Sequence, residues 1–185
     1  MFSASRYGDV MGKRSDFERK TLDFYPTPLE AVRPLIPHLP LKATFCEPCA
    51  GAGHLIRHLD TYGHKCVSAF DVMPLAEDIR QHDASWIVEE DVGDAELIIT
   101  NPPWDRPVMH QIIERCSILR PTWLLFDADW MFTKQAARHL DLCAKIVAVG
   151  RVKWMEGSAN TGMDNCAWYL FDVLSVGKPT EFVGQ

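Results

Sequence analysis

Metal-ligand and redox spacings are what this 185-residue chain most plainly lacks. Six cysteines stand at positions 46, 49, 66, 116, 143 and 166; Cys46 and Cys49 form one C-x-x-C, but no second pair has the spacing of a zinc site. Seven histidines are just as dispersed. No metal is therefore expected, and the thiols read as core residues of a reducing compartment. No apolar run approaches the roughly 20 residues of a membrane span. The first residues, Met1-Phe2-Ser3-Ala4-Ser5-Arg6, lack the apolar centre of a signal peptide, so a cytoplasmic location is expected. An excess of base is missing too: 19 Lys and Arg against 25 Asp and Glu give a formal charge of −6. A protein that grips nucleic acid strongly usually shows a basic face or tail, so any such grip here must be local. Low-complexity and long charged runs are absent, and 47% apolar residues over this length can fill one sizeable core.

What is present begins with Asn101-Pro102-Pro103-Trp104, directly after the apolar run from Ala95 to Thr100. A β-branched run of this length reads as a buried strand, and the two prolines end it because proline fixes φ and donates no N–H. The tetrapeptide thus falls at a strand's carboxyl end, where open α/β sheets place their ligands. A side-chain amide, a carbonyl held between two prolines and a large aromatic face together suit a planar amino group. Asn101 and the Pro102 carbonyl can accept its two hydrogens while Trp104 stacks on the ring.

Upstream, a strand from Ala43 to Glu47 runs into Pro48-Cys49-Ala50-Gly51-Ala52-Gly53 and then a helical pattern from His54. Small residues at a strand-to-helix turn let backbone approach a ligand closely, although the full dinucleotide glycine pattern is not present. Val67 to Asp71 reads as a second strand ending in a carboxylate, the position from which such folds bind ribose hydroxyls. Ser85 to Asp91 reads as a third. Three strands would then deliver Glu47, Asp71 and Asp91 to one edge of the sheet.

The remaining elements alternate. Pro28 to Leu39 reads as a helix interrupted by Pro34 and Pro37, Pro74 to His82 as a short helix, and Pro107 to Leu119 as an amphipathic helix with proline in its first turn. Thr122 to Asp127 is a strand, Lys134 to Leu140 a helix, and Ala144 to Trp154 and Cys166 to Val173 the last strands. Only the loop from Met155 to Asn165 separates those two, too short for a crossover helix, so they are expected to form an antiparallel hairpin. The pattern predicts an α/β fold with a mostly parallel sheet, helices on both faces and a hairpin end. Residues 1–22, with few apolar side chains and a small basic excess, read either as a mobile arm over the site or as a tail of no consequence. Residues 23–185 read as a single catalytic domain.

The segments Asp23-Phe24-Tyr25-Pro26-Thr27-Pro28, Phe45 to Gly53, Asp71, Asp91 and Asn101 to Trp104, in that order, resemble the S-adenosylmethionine-dependent DNA adenine-N6 methyltransferases, particularly the small phage and prophage type. The resemblance implies a Rossmann-like sheet of about seven strands. It implies that Tyr25, Pro26 and Thr27, with Glu47, Pro48, Cys49, Ala50, Gly51 and Gly53, hold the methionine end of the cofactor. Asp71, with Val72, would bind its ribose hydroxyls, and Asp91, with Val92, its adenine amino group. Asn101 would border the cofactor, and Asn101, Pro102, Pro103 and Trp104 would hold the target adenine. A bacterial or phage-infected cytoplasm is implied as the setting.

Sequence-specific relatives usually carry a separate target-recognition region, and the 81 residues after the tetrapeptide are consumed by the sheet. Low sequence preference, specificity from a partner or from self-association, and an RNA target all stay open. Protein-glutamine methyltransferases also use Asn-Pro-Pro followed by an aromatic, since the glutamine amide is likewise planar. A cofactor-binding regulatory subunit without catalysis is the remaining alternative. Trp130, Arg151 and Lys153 are candidate substrate contacts, the first beside the tetrapeptide's strand and the others before the polar loop. The competing reading of Trp130 is a core aromatic.

Overall fold

The computed structural model describes residues 25–154, 162 and 164–184. Among these residues eight strands form one sheet: β1 (Thr44–Glu47), β2 (Lys65–Asp71), β3 (Arg80–Gln81), β4 (Leu97–Thr100), β5 (Thr122–Asp127), β6 (Cys143–Arg151), β7 (Asn165–Phe171) and β8 (Glu181–Val183). Their order is β3-β2-β1-β4-β5-β7-β6-β8, and β7 alone among them runs antiparallel to its neighbours. The predicted hairpin is therefore β6 and β7, with β7 inserted between β5 and β6.

Period-two alternation divides the central strands between two cores. Ile98, Leu124, Phe126, Tyr169 and Phe171 face α4 (Arg106–Leu119), which contributes Met109, Ile112, Ile113 and Cys116. Leu97, Ile99, Trp123, Leu125 and Trp168 face the other side, against α1 (Leu29–Val32), the 3-10 segment Arg33–His38, and α2 (His54–Thr61). Pro34 and Pro37 confine the regular helix to one turn, as the prolines of the predicted Pro28–Leu39 helix require. Asp105 caps α4 by accepting the Val108 N–H at 3.3 Å.

Two predicted elements are corrected. Ser85 to Asp91 is not a strand but a 3-10 turn, Ala84–Trp86, followed by α3 (Glu89–Val92). Asp83 caps the turn through the Ser85 N–H, and the Asp91 carboxylate folds back on the Val88 N–H at 3.1 Å. Three successive acids also favour a helix N-terminus. Pro74 to His82 is not a helix but turns leading into β3, held by Leu75 N–H donating to the Gly51 carbonyl at 2.9 Å. The edge strand β8 was not foreseen. α5 (Ala137–Leu140) is shorter than the predicted Lys134–Leu140 helix, and β6 stops before Trp154. The arm 1–22 and residues 155–161 and 163 of the loop lie outside the described residues. Among the described residues no helix is long and apolar enough to cross a membrane.

Candidate active site

A cavity of about 520 Å³ opens at the carboxyl edge of β1, β2 and β4. The turn after β1 forms one wall with Pro48, Cys49, Ala50 and Gly51. Gly51 (φ +54°) and Gly53 (φ +73°) adopt left-handed backbone that a side chain would strain, which is what lets the turn double back into α2. Gly53 is buried behind the wall as the residue preceding α2 and does not line the cavity.

Asp71, at the end of β2, lines the cavity and staples this turn. Its Oδ2 accepts the Gly51 N–H at 2.8 Å and its Oδ1 the Met73 N–H at 2.8 Å. Each oxygen keeps a further lone pair, so the carboxylate can still accept two hydroxyls. Val72 lines the cavity beside it.

Glu47, at the end of β1, is 2% exposed and also lines the cavity. Its Oε2 has no hydrogen-bond partner among the described residues. Burial, then the nearby Asp71 charge, holds its carboxyl well above the usual carboxylate range. A cation brought into the cavity would relieve both effects. Burial and the same Asp71 charge also hold the Cys49 thiol well above its ordinary value, so it stays an inert lining group. Among the described residues no group of His, Cys, Asp and Glu could hold a metal.

Asp91 does not line the cavity. Its carboxylate lies 2.6 Å from Arg80 Nη2 and 3.0 Å from His82 Nε2, besides accepting the Val88 N–H. Burial works to raise its pKa, yet Arg80, Val88 and His82 outweigh it and hold the group below the ordinary range. Engaged on both oxygens by protein groups, Asp91 is a structural ion-pair centre, and Val92 beside it is fully buried in the core. The acid that does line the cavity here is Asp83, with Ala84 and Ser85. Sequence reasoning missed it because the strand that delivers it, β3, is two residues long, too short to carry a period.

Asn101 lines the cavity at the end of β4. Its Nδ2 donates to Thr27 Oγ1 at 3.2 Å and lies 3.5 Å from the Tyr25 carbonyl oxygen, while Oδ1 is shielded from water and has no partner among the described residues. The Tyr25-Pro26-Thr27 segment thus closes one side of the cavity. Pro103 and Asp105 line it further round, whereas Pro102 is buried and the Trp104 ring stands beside it, packed against both cores.

Trp104 makes an edge-to-face contact with Trp154, ring centroids 5.7 Å apart, and Tyr25 stands 6.4 Å from the same Trp154 ring. Trp154, the aromatic of the Arg151-Val152-Lys153-Trp154 stretch, is the member of that stretch that meets the tetrapeptide. The Gly162 N–H donates to the Val152 carbonyl at 2.7 Å, and a Cβ at Gly162 would stand 3.1 Å from the Trp154 ring, so only glycine fits this approach without a shift.

The other expected contacts are not brought into the cavity. Trp130 is fully buried, its Nε1 donating to His110 Nε2 at 3.0 Å amid Phe126, Tyr169 and Phe171. It is core, and its assignment to substrate is corrected. Arg151 and Lys153 are exposed beyond the cavity wall; the Lys153 N–H donates to Glu30 Oε1 at 2.6 Å. The sheet edge that carries Asn101 continues with Asp127 at the end of β5, Asp129 in the turn after it, and Asp164 before β7. Burial, together with the charges of Asp129 and Asp164, pushes the Asp127 carboxyl upward despite Arg106 at 3.5 Å.

No protein-family model matches the sequence, and no curated protein matches it. Solved structures do match in fold. The modification subunit of a proposed type I restriction enzyme from Vibrio vulnificus superposes with a TM-score of 0.58 at 12% identity, covering 87% of this chain and 47% of that one. A proposed RNA methyltransferase from Pyrococcus horikoshii gives 0.52 at 14% identity over 82% of this chain and 87% of the other. A proposed class I S-adenosylmethionine-dependent methyltransferase from Listeria monocytogenes gives 0.52 at 12% identity over 84% and 61%. This chain thus spans less than half of the Vibrio subunit and about three-fifths of the Listeria protein. The chain has the Rossmann-like α/β fold of the S-adenosylmethionine-dependent methyltransferases.

Proposed function

We propose that this protein is an S-adenosylmethionine-dependent methyltransferase acting on the exocyclic N6 amine of adenine in DNA. The observation that carries the reading is the partnerless, water-shielded Oδ1 of Asn101 in the wall of the cavity. A buried acceptor left unpaired costs about 1–3 kcal/mol unless a ligand supplies the donor, and an amino group is such a donor. The cavity volume lies in the range of small-molecule sites. Its acceptors fit the cofactor: Glu47 would meet the amino group of the methionine end, Asp71 the ribose hydroxyls, and Asp83, in place of Asp91, the adenine amine. When bound, S-adenosylmethionine supplies a methyl group already activated on a sulfonium, so the chain need only align a weak nucleophile. Asn101 Oδ1 and the Pro102 carbonyl would accept the two hydrogens of the target amine, favouring a more tetrahedral nitrogen and stabilising the positive charge that grows there. Trp104 would hold the base, which in a duplex must first leave the stack.

The aspartates beside Asn101 favour a second reading, methylation of a glutamine amide in a basic protein segment, because they repel phosphate. Incubation with methyl-labelled cofactor and separate pools of duplex DNA, single-stranded DNA, RNA and protein distinguishes the two. Label in N6-methyladenine of DNA supports the first; label confined to RNA or protein overturns the DNA assignment, and none in any pool overturns catalysis.

A further inference from the structure

The tetrapeptide begins with an amide, although a carboxylate offers the same acceptor oxygen and an extra charge to stabilise a developing cation. The contacts of Asn101 explain the choice. Its Nδ2 faces Thr27 Oγ1 at 3.2 Å and the Tyr25 carbonyl at 3.5 Å, and Thr27 is only 5% exposed. A carbonyl oxygen can only accept, so the atom facing it must donate. At position 101 an amide nitrogen can do so; an ionised carboxylate cannot. The Thr27 hydroxyl could turn to donate to a carboxylate, but the Tyr25 carbonyl would still confront an anionic oxygen.

The amide also has a wrong way round. A half-turn about its terminal torsion would exchange Oδ1 and Nδ2, setting oxygen against the Tyr25 carbonyl and offering a donor where the target amine needs an acceptor. Nothing within the side chain itself prefers one orientation. We propose that Thr27, together with the Tyr25 carbonyl, is a positioning device that fixes Oδ1 as the atom presented to the target and makes position 101 selective for asparagine over aspartate. The proposal rests on the reading of Asn101 as acceptor for the target amine. It assigns the Tyr25-Pro26-Thr27 segment a role in catalytic geometry besides lining the cavity.

The test needs no knowledge of the substrate for its first arm. The chain contains three asparagines, at 101, 160 and 165, so protein labelled with 15N-asparagine shows three side-chain amide pairs. Asn101→Asp removes one and so identifies it. In the parent this pair is expected to exchange slowly with water. Thr27→Val, nearly isosteric, should shift it and speed its exchange at least severalfold, and Thr27→Ser should bring both back toward the parental values. The second arm measures transfer to whichever pool is labelled. Thr27→Val should lower kcat severalfold with little change in cofactor KM, Thr27→Ser should recover most of that loss, and Asn101→Asp should cost less in the Thr27→Val background than in the parent. An unmoved Asn101 pair in folded Thr27→Val, or full activity in Asn101→Asp, overturns the positioning device. Full activity in Asn101→Ala instead overturns the acceptor reading beneath it, and the device with it.

Discussion

Asp71→Ala is expected to affect cofactor binding and folding stability by separable amounts. The substitution removes the acceptor of two backbone N–H groups, those of Gly51 and Met73, both at 2.8 Å. Gly51 is buried, so its N–H is left without a partner, at a cost of about 1–3 kcal/mol; Met73 is exposed, and water replaces its lost bond at little cost. Loss of the Asp71 charge eases the burden on Glu47, which offsets a small part. A net loss of about 1–2 kcal/mol corresponds to a fall in Tm of roughly 2–8 °C for a domain of this size. If the same carboxylate also holds the ribose diol, S-adenosylmethionine affinity falls by a further 1–3 kcal/mol or so, about 5- to 150-fold. Thermal melting and calorimetric titration with S-adenosylmethionine separate the two. A lower Tm with cofactor affinity within twofold of the parent would leave Asp71 as a loop staple only and refute its ribose role. An unchanged Tm would mean that the staple contributes nothing.

Asn101→Ala should leave cofactor affinity within about twofold and lower methyl transfer on the order of 10²-fold, as loss of one group matched to developing charge does, checked by titration and single-turnover kinetics. Glu47, whose folded pKa is raised, holds a proton that the unfolded chain releases, so without cofactor stability should fall as pH rises from the ordinary carboxylate range through the raised value. Binding of the cofactor's ammonium needs the ionised form, so affinity should rise with pH across that window, and Glu47→Gln should flatten it in a titration series. With Asp127, Asp129 and Asp164 on the same sheet edge as Asn101, DNA binding is expected to be weak with a shallow salt slope, and unpaired adenine should be modified at least as well as paired; a strict duplex site methylated by the purified chain would contradict this.

Legibility in the sequence followed burial. β4 and β5 were read to within two residues because their side chains are almost wholly buried and β-branched, aromatic or leucine, so composition and position coincide. The turn after β1 was equally legible, since left-handed backbone at Gly51 and Gly53 demands a residue type. The stretch from Pro74 to Val92 was not. There Trp86 and Val88 face solvent while Ile87 and Val92 are buried, so apolar letters ceased to report the inside. β3 exists only because β2 is there to pair with it, a long-range condition no local window contains. The partner that orients Asn101 lies 74 residues away in Thr27, and sequence spacing could place both at the site without revealing the bond between them.

Between Pro74 and Val92 the fold exchanges the expected roles of two acids eight residues apart. Asp83 lines the cavity, and its Oδ1 already accepts the Ser85 N–H and hydroxyl, which fixes the carboxylate and leaves the other oxygen for a ligand. Asp91 is outside it, binding Arg80 of β3 and closing the first turn of α3. Asp83→Asn should therefore weaken S-adenosylmethionine binding by about 1–2 kcal/mol, roughly 5- to 30-fold, with a small change in Tm, because the amide keeps one oxygen for the Ser85 cap. Asp91→Asn should do the reverse. It should lower stability by about 1–3 kcal/mol at neutral pH, since the Arg80 charge loses its partner, and leave the cofactor bound nearly as before. The pH dependence carries the same distinction. A depressed folded pKa makes Asp91's contribution present above the ordinary carboxylate range and lost as pH falls through the folded value, so parent and Asp91→Asn should converge in stability in acid. Denaturant melts of the three proteins from neutral to acid pH, with cofactor titrations at neutral pH, decide the matter. If Asp91→Asn abolishes cofactor binding while Asp83→Asn does not, the adenine end of the site lies where the sequence first placed it, and the cavity drawn around Asp83 is not the cofactor's.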